Sequence, residues 1–144
     1  MNRFLTFLRH IHRIKIEVTN KCNAKCKFCA YPLMKRPRMV MSEPLYASAL
    51  RQISKLGCDT LMMSPVVGDP LLDKNFPYRL QNAKNSPGIG EVRFFSNFIA
   101  ISEFTDWELH LILNNSDTIL ASIAPNVNGQ SKAARGGRFK SGHF

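Results

Sequence analysis

The sequence predicts an α/β fold in which about four parallel strands, joined by helices, form part of a barrel. Short apolar or alternating segments recur along the chain, and the stretches between them repeat their apolar residues at helical spacing. Polar or cysteine-containing stretches directly follow several of these strands, at the end where parallel α/β sheets carry their functional residues. Alternating strands and helices with right-handed crossovers give a parallel sheet that curves toward a barrel.

The first strand is predicted at residues 14–18, where apolar and polar side chains alternate. Ser42 then suits the N-cap of a helix with Pro44 in its first turn, and Gly57 suits its end. The apolar face of this helix is predicted from residues at helical spacing, namely Leu45, Ala49, Ile53 and Leu56. Cys58, just beyond, is interpreted as a small buried hydrophobic residue.

The remaining elements continue the alternation. A short apolar strand is predicted at residues 60–64, as is typical of buried parallel strands. Apolar spacing then predicts a second helix with Phe76, Leu80 and Ala83 on its buried face, and a third helix with Phe104, Trp107 and Leu111. The third and fourth strands are predicted at residues 91–95 and 118–124.

Composition indicates a single globular domain. The chain has 144 residues, of which 44% are hydrophobic, enough for one core. No apolar run approaches the roughly 20 residues of a membrane span, and the N-terminal apolar residues are too few for a secretory signal. We therefore expect a cytoplasmic protein with reduced thiols. Residues 1–125 are predicted to form the domain, and residues 126–144, which are polar, glycine-rich and basic, a disordered tail.

The net charge of +10 is concentrated at the two ends of the chain. Residues 1–42 contain ten Lys and Arg but a single acidic residue, and residues 131–144 add four more bases. Such a distribution is compatible with an electropositive rim around an anionic ligand or nucleic acid, and equally with a solvated surface. The cysteines are flanked by Lys21, Lys25 and Lys27. The negative charge of cluster thiolates and sulfides would give these bases a local reason to be there.

Three cysteines, Cys22, Cys26 and Cys29, lie within eight residues directly after the first predicted strand. Their spacing and the polar residues between them favour a loop around one metal centre, and three local thiolates on a four-iron cluster would leave one iron open to a small molecule. A zinc site would need a fourth ligand, with Cys58, His10 and His12 as the candidates. A disulfide framework is the other alternative, although three crowded thiols would pair badly.

This cysteine spacing, with the aromatic Phe28 directly before the last cysteine, resembles the signature of the radical S-adenosylmethionine (radical SAM) enzymes. The resemblance implies that Cys22, Cys26 and Cys29 hold a 4Fe-4S cluster, that S-adenosylmethionine chelates the open iron, and that Phe28 lies against the adenine. The flanking residues are similar to the branch that often carries a C-terminal SPASM domain: Thr19, Asn20, Lys21, Asn23, Tyr31, Pro32, Lys35, Arg36, Pro37 and Met41.

Three further stretches resemble cofactor-binding motifs of the same family, and each follows a predicted strand. Gly68 and Asp69 resemble a Gly-Gly-Glu motif that receives the amino group of S-adenosylmethionine, with Val67 in place of the first glycine and Asp69 in place of the glutamate. Ser96 and Asn97 resemble a Thr-Asn step that lines the cofactor cleft, and Ser122 lies where the family contacts the ribose. Taken alone, each stretch is also compatible with an ordinary turn.

The resemblance covers roughly residues 13–125, with four predicted strands where the family core usually has six strand-helix units. It therefore implies a C-terminally truncated core without the later strands or SPASM cysteines. The strand predicted at residues 118–124 would then be an exposed sheet edge, and we expect such an edge to promote self-association.

Two functions follow from these observations. The first is a radical SAM enzyme core that binds a 4Fe-4S cluster and S-adenosylmethionine and abstracts hydrogen from a peptide or small-molecule substrate. It implies an electron donor such as a flavodoxin or ferredoxin, and neither a membrane nor nucleic acid as partner. The alternative is a basic nucleic-acid-binding module with a structural metal, or an inactive fragment. The sequence names no catalytic residue and no substrate.

Overall fold

The computed structural model describes residues 11–26 and 29–122, and these residues alternate between strands and helices. Four strands, β1 (Arg13–Lys15), β2 (Cys58–Met62), β3 (Ile89–Ser96) and β4 (Thr118–Ala121), are separated by α1 (Glu43–Leu56), α2 (Phe76–Lys84) and α3 (Asp106–Asn114). Short 3-10 helices lie at Tyr31–Leu33, Pro70–Leu72 and Ile101–Glu103.

The four strands form one parallel sheet in chain order, β1-β2-β3-β4. Arg13 pairs with Thr60, Thr60 with Glu91, and Arg93 with Thr118. All strands therefore run in the same direction, and the loops that follow them meet at one edge of the sheet. This arrangement confirms the predicted α/β class.

The core lies between the sheet and the helices that cover it. Phe94 of β3 packs edge-to-face against Phe76 of α2, with ring centroids 5.0 Å apart. Both rings are fully buried. Around them lie buried side chains from every layer: Tyr46, Leu50, Ile53, Cys58, Leu61, Leu80, Ala83, Val92 and Ile112. Cys58 thus packs as the small hydrophobic residue that the sequence predicted.

The bounds of α1 and α2 agree with the sequence prediction, but the apolar faces predicted for the first and third helices were wrong in part. Leu45 and Leu56 of α1 are 57% and 61% exposed, and the buried face instead contains Tyr46 and Leu50. α1 is turned so that the large Tyr46 ring is buried, and the Tyr46 hydroxyl donates a hydrogen bond to the carbonyl of Arg79 in the core. Phe104, predicted on the face of the third helix, lies before α3 begins. Within α3, Trp107 is 65% exposed, and Leu111 and Ile112 face the core.

The strands were predicted one to three residues out of place. β1 and β2 begin earlier than predicted because pairing starts at Arg13 and Cys58, where the amide of Cys58 donates to the carbonyl of Gly88. Beyond β1, the amide of Ile16 still donates to Met62, and the chain then leaves the sheet. β4 ends at Ala121, so Ser122 of the predicted strand lies just beyond it. Residues 123 and 124 of that strand and the predicted tail at 126–144 lie outside the described residues.

Candidate functional site

The residues predicted to bind a cofactor follow the carboxyl ends of the strands and meet at one edge of the sheet. The cysteine loop follows β1, Gly68 and Asp69 follow β2, and Ser96 and Asn97 end β3. Ser122 follows β4, and its amide donates a 2.8 Å hydrogen bond to the carbonyl of Ser96. The parallel register thus brings together residues from four separate parts of the chain.

The cysteine loop is closed at its base by a short antiparallel contact. Thr19 bridges Val40, and the amide of Met41 donates to the carbonyl of Val18 at 2.7 Å. The buried side chain of Asn20 adds two bonds, donating to Pro37 O at 2.9 Å and accepting from the Met39 amide at 2.7 Å. The loop therefore starts and ends at the same place, where hydrogen bonds within the protein hold its base.

Tyr31 connects the two ends of the cysteine segment. Its hydroxyl oxygen accepts the Cys22 amide at 2.9 Å, and its own amide donates to the Sγ of Cys29 at 3.3 Å. The ring is buried, and the guanidinium of Arg38 lies 4.8 Å from its centroid. The sequence prediction assigned no role to this residue, although an aromatic hydroxyl two positions after the last cysteine was the available signal.

Gly68 lies directly against the start of the cysteine loop. Its φ of 137° is one that side chains rarely adopt, and a Cβ atom here would lie 2.9 Å from the carbonyl oxygen of Lys21. The next amide, that of Asp69, donates to the same oxygen at 2.7 Å. Glycine is thus required for the segment after β2 to contact the segment after β1.

The carboxylate of Asp69 is buried and fully engaged within the protein. It accepts the Asn97 amide at 2.6 Å, the Leu71 amide at 3.0 Å, and the Ser96 hydroxyl at 3.0 Å from each oxygen. Burial raises the pKa of this carboxyl above its usual value, while the bonds from Asn97, Leu71 and Ser96 oppose the rise. Asp69 therefore holds the end of β3 against the segment that follows β2.

Asn97 reaches from the end of β3 to the cysteine loop. Its side-chain amide nitrogen lies 3.8 Å from the Sγ of Cys22 and 3.2 Å from Oδ1 of Asn23. Its side-chain oxygen accepts the Ile99 amide at 2.9 Å, which fixes which end of the side chain faces the cysteine. Phe98, the next residue, has a φ of 59°, so the turn is tight and unusual for a non-glycine residue.

The three loop cysteines are free thiols, partly accessible to solvent, and close enough to interact electrostatically. Burial raises the pKa of Cys22, and the negative charges of Asp69, Cys26 and Cys29 add to that rise. Within residues 11–26 and 29–122, no three His, Cys, Asp or Glu side chains are grouped closely enough to hold a metal ion. The cysteines thus share one loop without being drawn into a closed ligand set. Phe28 lies outside the described residues.

Glu17 is a second residue that the sequence prediction did not assign. Its carboxylate receives two bonds from the guanidinium of Arg36, at 2.7 and 3.3 Å, and a third from the Val66 amide at 3.2 Å. It therefore ties the returning arm of the cysteine loop to the segment after β2. As the single acid among the first 42 residues, it could have been noticed from its basic surroundings.

The chain was compared with known families, proteins and structures. No family model matches it. It is 26% identical over 101 residues to a GTP 3',8-cyclase of Alkaliphilus metalliredigens, and 24% identical over 132 residues to one of Vibrio atlanticus. These matches cover 69% and 88% of this chain.

Among solved structures, BtrN in complex with AdoMet and 2-DOIA superposes with a TM-score of 0.65 and 22% identity, covering 81% of this chain. GTP 3',8-cyclases and BtrN share a radical SAM core. This chain is similar in sequence and fold to these radical SAM proteins. The likeness to BtrN establishes the fold, and this chain spans 31% and 40% of the lengths of the two cyclases and 47% of the BtrN chain. Within the described residues, no helix is both long and apolar enough to cross a membrane.

Proposed function

We propose that this chain is the part of a radical SAM enzyme that binds a 4Fe-4S cluster through Cys22, Cys26 and Cys29, with S-adenosylmethionine beside it. The observation that carries the proposal is the position of the three free thiols. They lie in a loop at the carboxyl edge of the parallel sheet, where Cys22 contacts Asn97 and the backbone beside it contacts the Gly68 and Asp69 segment. A similar fold is solved with AdoMet bound in BtrN.

The donor set fits such a cluster. Cysteine thiolates are the usual ligands of iron-sulfur clusters, and the three loop cysteines form no disulfide and are partly accessible. The base of the loop is closed by hydrogen bonds within the protein at Thr19, Asn20 and Met39. Cys58 is buried in the core and does not join the set.

Cys22, Cys26 and Cys29 would hold the cluster, and with one electron from the proposed donor the cluster and S-adenosylmethionine would supply radical chemistry for hydrogen abstraction from a substrate. The chain itself provides the three thiolates and the loops that surround them at the carboxyl edge of the sheet. Gly68 lets the backbone after β2 approach the cysteine loop, and Asp69 fixes the position of Asn97. The four hydrogen bonds that its carboxylate accepts within the protein support a positioning role for Asp69.

Several finer assignments stay predictions. They are reception of the cofactor's amino group by Gly68 and Asp69, lining of the cleft by Ser96 and Asn97, ribose contact by Ser122, and stacking of Phe28 on adenine. Membership of the SPASM-associated branch also stays a prediction. Ser122 is exposed at the edge of the sheet, which is compatible with its predicted role.

The partners are likewise proposed. We expect a small-molecule or peptide substrate, a flavodoxin or ferredoxin as electron donor, and a cytoplasmic location, since reduced thiols require a reducing compartment. β4 is the edge strand of the described sheet, with Leu120 and Ala121 exposed, and self-association through it stays a prediction.

Anaerobic reconstitution with iron and sulfide tests the proposal. We expect about four irons and four sulfides per chain, as a cubane cluster requires, with S-adenosylmethionine perturbing the spectrum of the reduced cluster. Cys22→Ala, Cys26→Ala and Cys29→Ala should each lose most of the iron, whereas Cys58→Ala should keep it. One bound zinc without sulfide would contradict the proposal and favour the structural-metal alternative.

A further inference from the structure

The side chain of Asn97 has every hydrogen-bonding group in use, and one of its contacts is the sulfur of a predicted cluster ligand. Oδ1 accepts the Ile99 amide at 2.9 Å, so the nitrogen end must face the cysteine loop. There Nδ2 has two acceptors, the Cys22 Sγ at 3.8 Å and the Asn23 Oδ1 at 3.2 Å. Each of the two hydrogens on Nδ2 therefore has an acceptor in this orientation of the side chain.

The backbone of Asn97 is fixed as firmly as its side chain. The Asn97 amide donates to the buried carboxylate of Asp69 at 2.6 Å, and the hydroxyl of Ser96 contacts both oxygens of the same carboxylate. The Ser96 hydroxyl oxygen in turn accepts the Phe98 amide at 2.9 Å, in the turn where Phe98 has a positive φ. The turn after β3 is thus built to present one amide group to the cysteine loop.

We propose that Asn97 sets the reduction potential of the cluster by donating a hydrogen bond from its side-chain amide to the thiolate of Cys22. The inference rests on the proposed function and deepens it, because it assigns the amide to the cluster ligand itself. Reduction adds one negative charge to a cluster and its thiolates, so a donor to a ligand sulfur stabilises the reduced form and raises the potential. Asn97 is a positioning residue in this sense, with Asp69 holding it in place.

Removing the donor should lower the potential without emptying the site. We expect reconstituted Asn97→Ala to keep its iron and its melting temperature within a few degrees of wild type. The equilibrium constant for one-electron reduction should fall by roughly tenfold, which corresponds to a shift of about 59 mV for one electron. The measurement is an anaerobic titration with a low-potential chemical reductant, followed by the EPR signal of the reduced cluster.

Asn97→Asp distinguishes loss of the hydrogen-bond donor from loss of the hydrogen bonds that stabilise the turn. It keeps an oxygen for the Ile99 amide and the backbone bond to Asp69, but it replaces the donor with a carboxylate. Asn23→Asp is the matched control, because it adds the same charge beside Cys22 and leaves the Asn97 amide intact. We expect the potential of the Asn97 variant to fall further than that of the control. Asn82→Ala, at an exposed position of α2, should change nothing.

The outcomes distinguish this inference from the proposed function. If the wild-type chain takes up no iron and sulfide, the proposed function fails, and the inference fails with it. If the wild type holds its cluster and Asn97→Ala has an unchanged potential, the hydrogen bond does not tune the cluster. Equal shifts in Asn97→Asp and Asn23→Asp would attribute the effect to charge alone and overturn the inference, even where the alanine variant proves unable to fold.

Discussion

Tyr31 shows how one side chain can organise a ligand loop that is poor in secondary structure. The cysteine segment between Cys22 and Cys29 contains no helix or strand among its described residues, so its shape must come from other contacts. Tyr31 supplies two of them, one to the backbone of the first cysteine and one to the sulfur of the last. Amides that donate to ligand sulfur are a common feature around iron-sulfur clusters.

We expect Tyr31→Phe to weaken retention of the cluster. The substitution keeps the ring and the amide bond to Cys29, but the Cys22 amide loses its acceptor, which costs about 1–3 kcal/mol for a buried donor. The rate at which a chelator removes iron from the reconstituted protein should rise several-fold.

Tyr46→Phe is the matched control for this prediction. The hydroxyl of Tyr46 donates to the carbonyl of Arg79 at 2.6 Å in the core, and it makes no contact with the cysteine loop. This variant should lose a similar amount of stability in urea while keeping its iron as wild type does. Equal iron loss from both variants would mean that Tyr31 acts only through general stability.

At the scale of the elements, Asp117 joins a helix to two strands just before β4 begins. Its carboxylate accepts hydrogen bonds from the Lys84 ammonium of α2 at 2.6 and 2.7 Å, and from the Val92 amide of β3 at 2.8 Å. Partial burial works against ionisation, but the bonds from Lys84 and Val92 prevail and lower the pKa of Asp117. The loop between α3 and β4 is thereby held in the register of the sheet.

This lowered pKa predicts a pH dependence of stability. Because the carboxylate is more acidic in the folded state, its stabilising effect is complete above the unfolded pKa near 3.8 and is lost as the pH falls through the folded value. Wild type should therefore be more stable than Asp117→Asn at pH 7, and the difference should shrink toward pH 3.

Urea unfolding of both proteins across that pH range measures this difference. Glu91→Gln, at an exposed position of β3, serves as a control for the loss of one acidic charge. A difference between wild type and Asp117→Asn that is constant with pH would show that ionisation of Asp117 is not the source of the stabilisation.

At the scale of the whole molecule, the buried Arg79 connects the helices to the end of the cysteine loop. Its side chain donates to the carbonyl of Met41 at 2.7 Å and lies 3.4 Å from Glu43 at the start of α1. Nε is 2.9 Å from the buried carboxylate of Asp73, but out of line for a hydrogen bond, so charge attraction dominates this contact. The guanidinium also lies 4.6 Å from the ring centroid of Tyr46.

Arg79→Met should therefore be strongly destabilising. It keeps most of the side-chain volume but leaves Asp73 buried without its cation, and breaking such a pair costs about 3–5 kcal/mol. Burial already raises the pKa of Asp73, with Arg79 opposing that rise, so the carboxylate depends on its partner. Urea denaturation followed by circular dichroism measures the loss.

Two further variants test whether the loss of stability comes from the buried ion pair. Arg51→Met, at an exposed position of α1, should change the free energy of unfolding by no more than about 0.5 kcal/mol. Adding Asp73→Asn to Arg79→Met should restore part of the stability, because it removes the uncompensated charge. A loss no larger than that of Arg51→Met would show that the buried pair contributes little.

The order of strands and helices, their parallel class and the cysteine loop could be predicted from the sequence because their signals are local. Apolar periodicity, the Ser42 and Gly57 helix ends, and the spacing of Cys22, Cys26 and Cys29 each lie within a few residues of one another. Parallel strands also bring their following loops to one edge, so the presence of Gly68, Ser96, Ser122 and the cysteine loop at the same edge follows from the class of fold.

Only the tertiary structure decided which groups pair across that edge. Asp69 and Asn97 are 28 residues apart, and Asn97 and Cys22 are 75 apart, so no local pattern could show that a carboxylate holds the amide that faces a cysteine. The same holds for Tyr46, which rotated the buried face of α1 toward Arg79, a partner 33 residues away. Hydrogen bonds and packing between distant segments depend on register and side-chain direction, which periodicity leaves open and the assembled sheet determines.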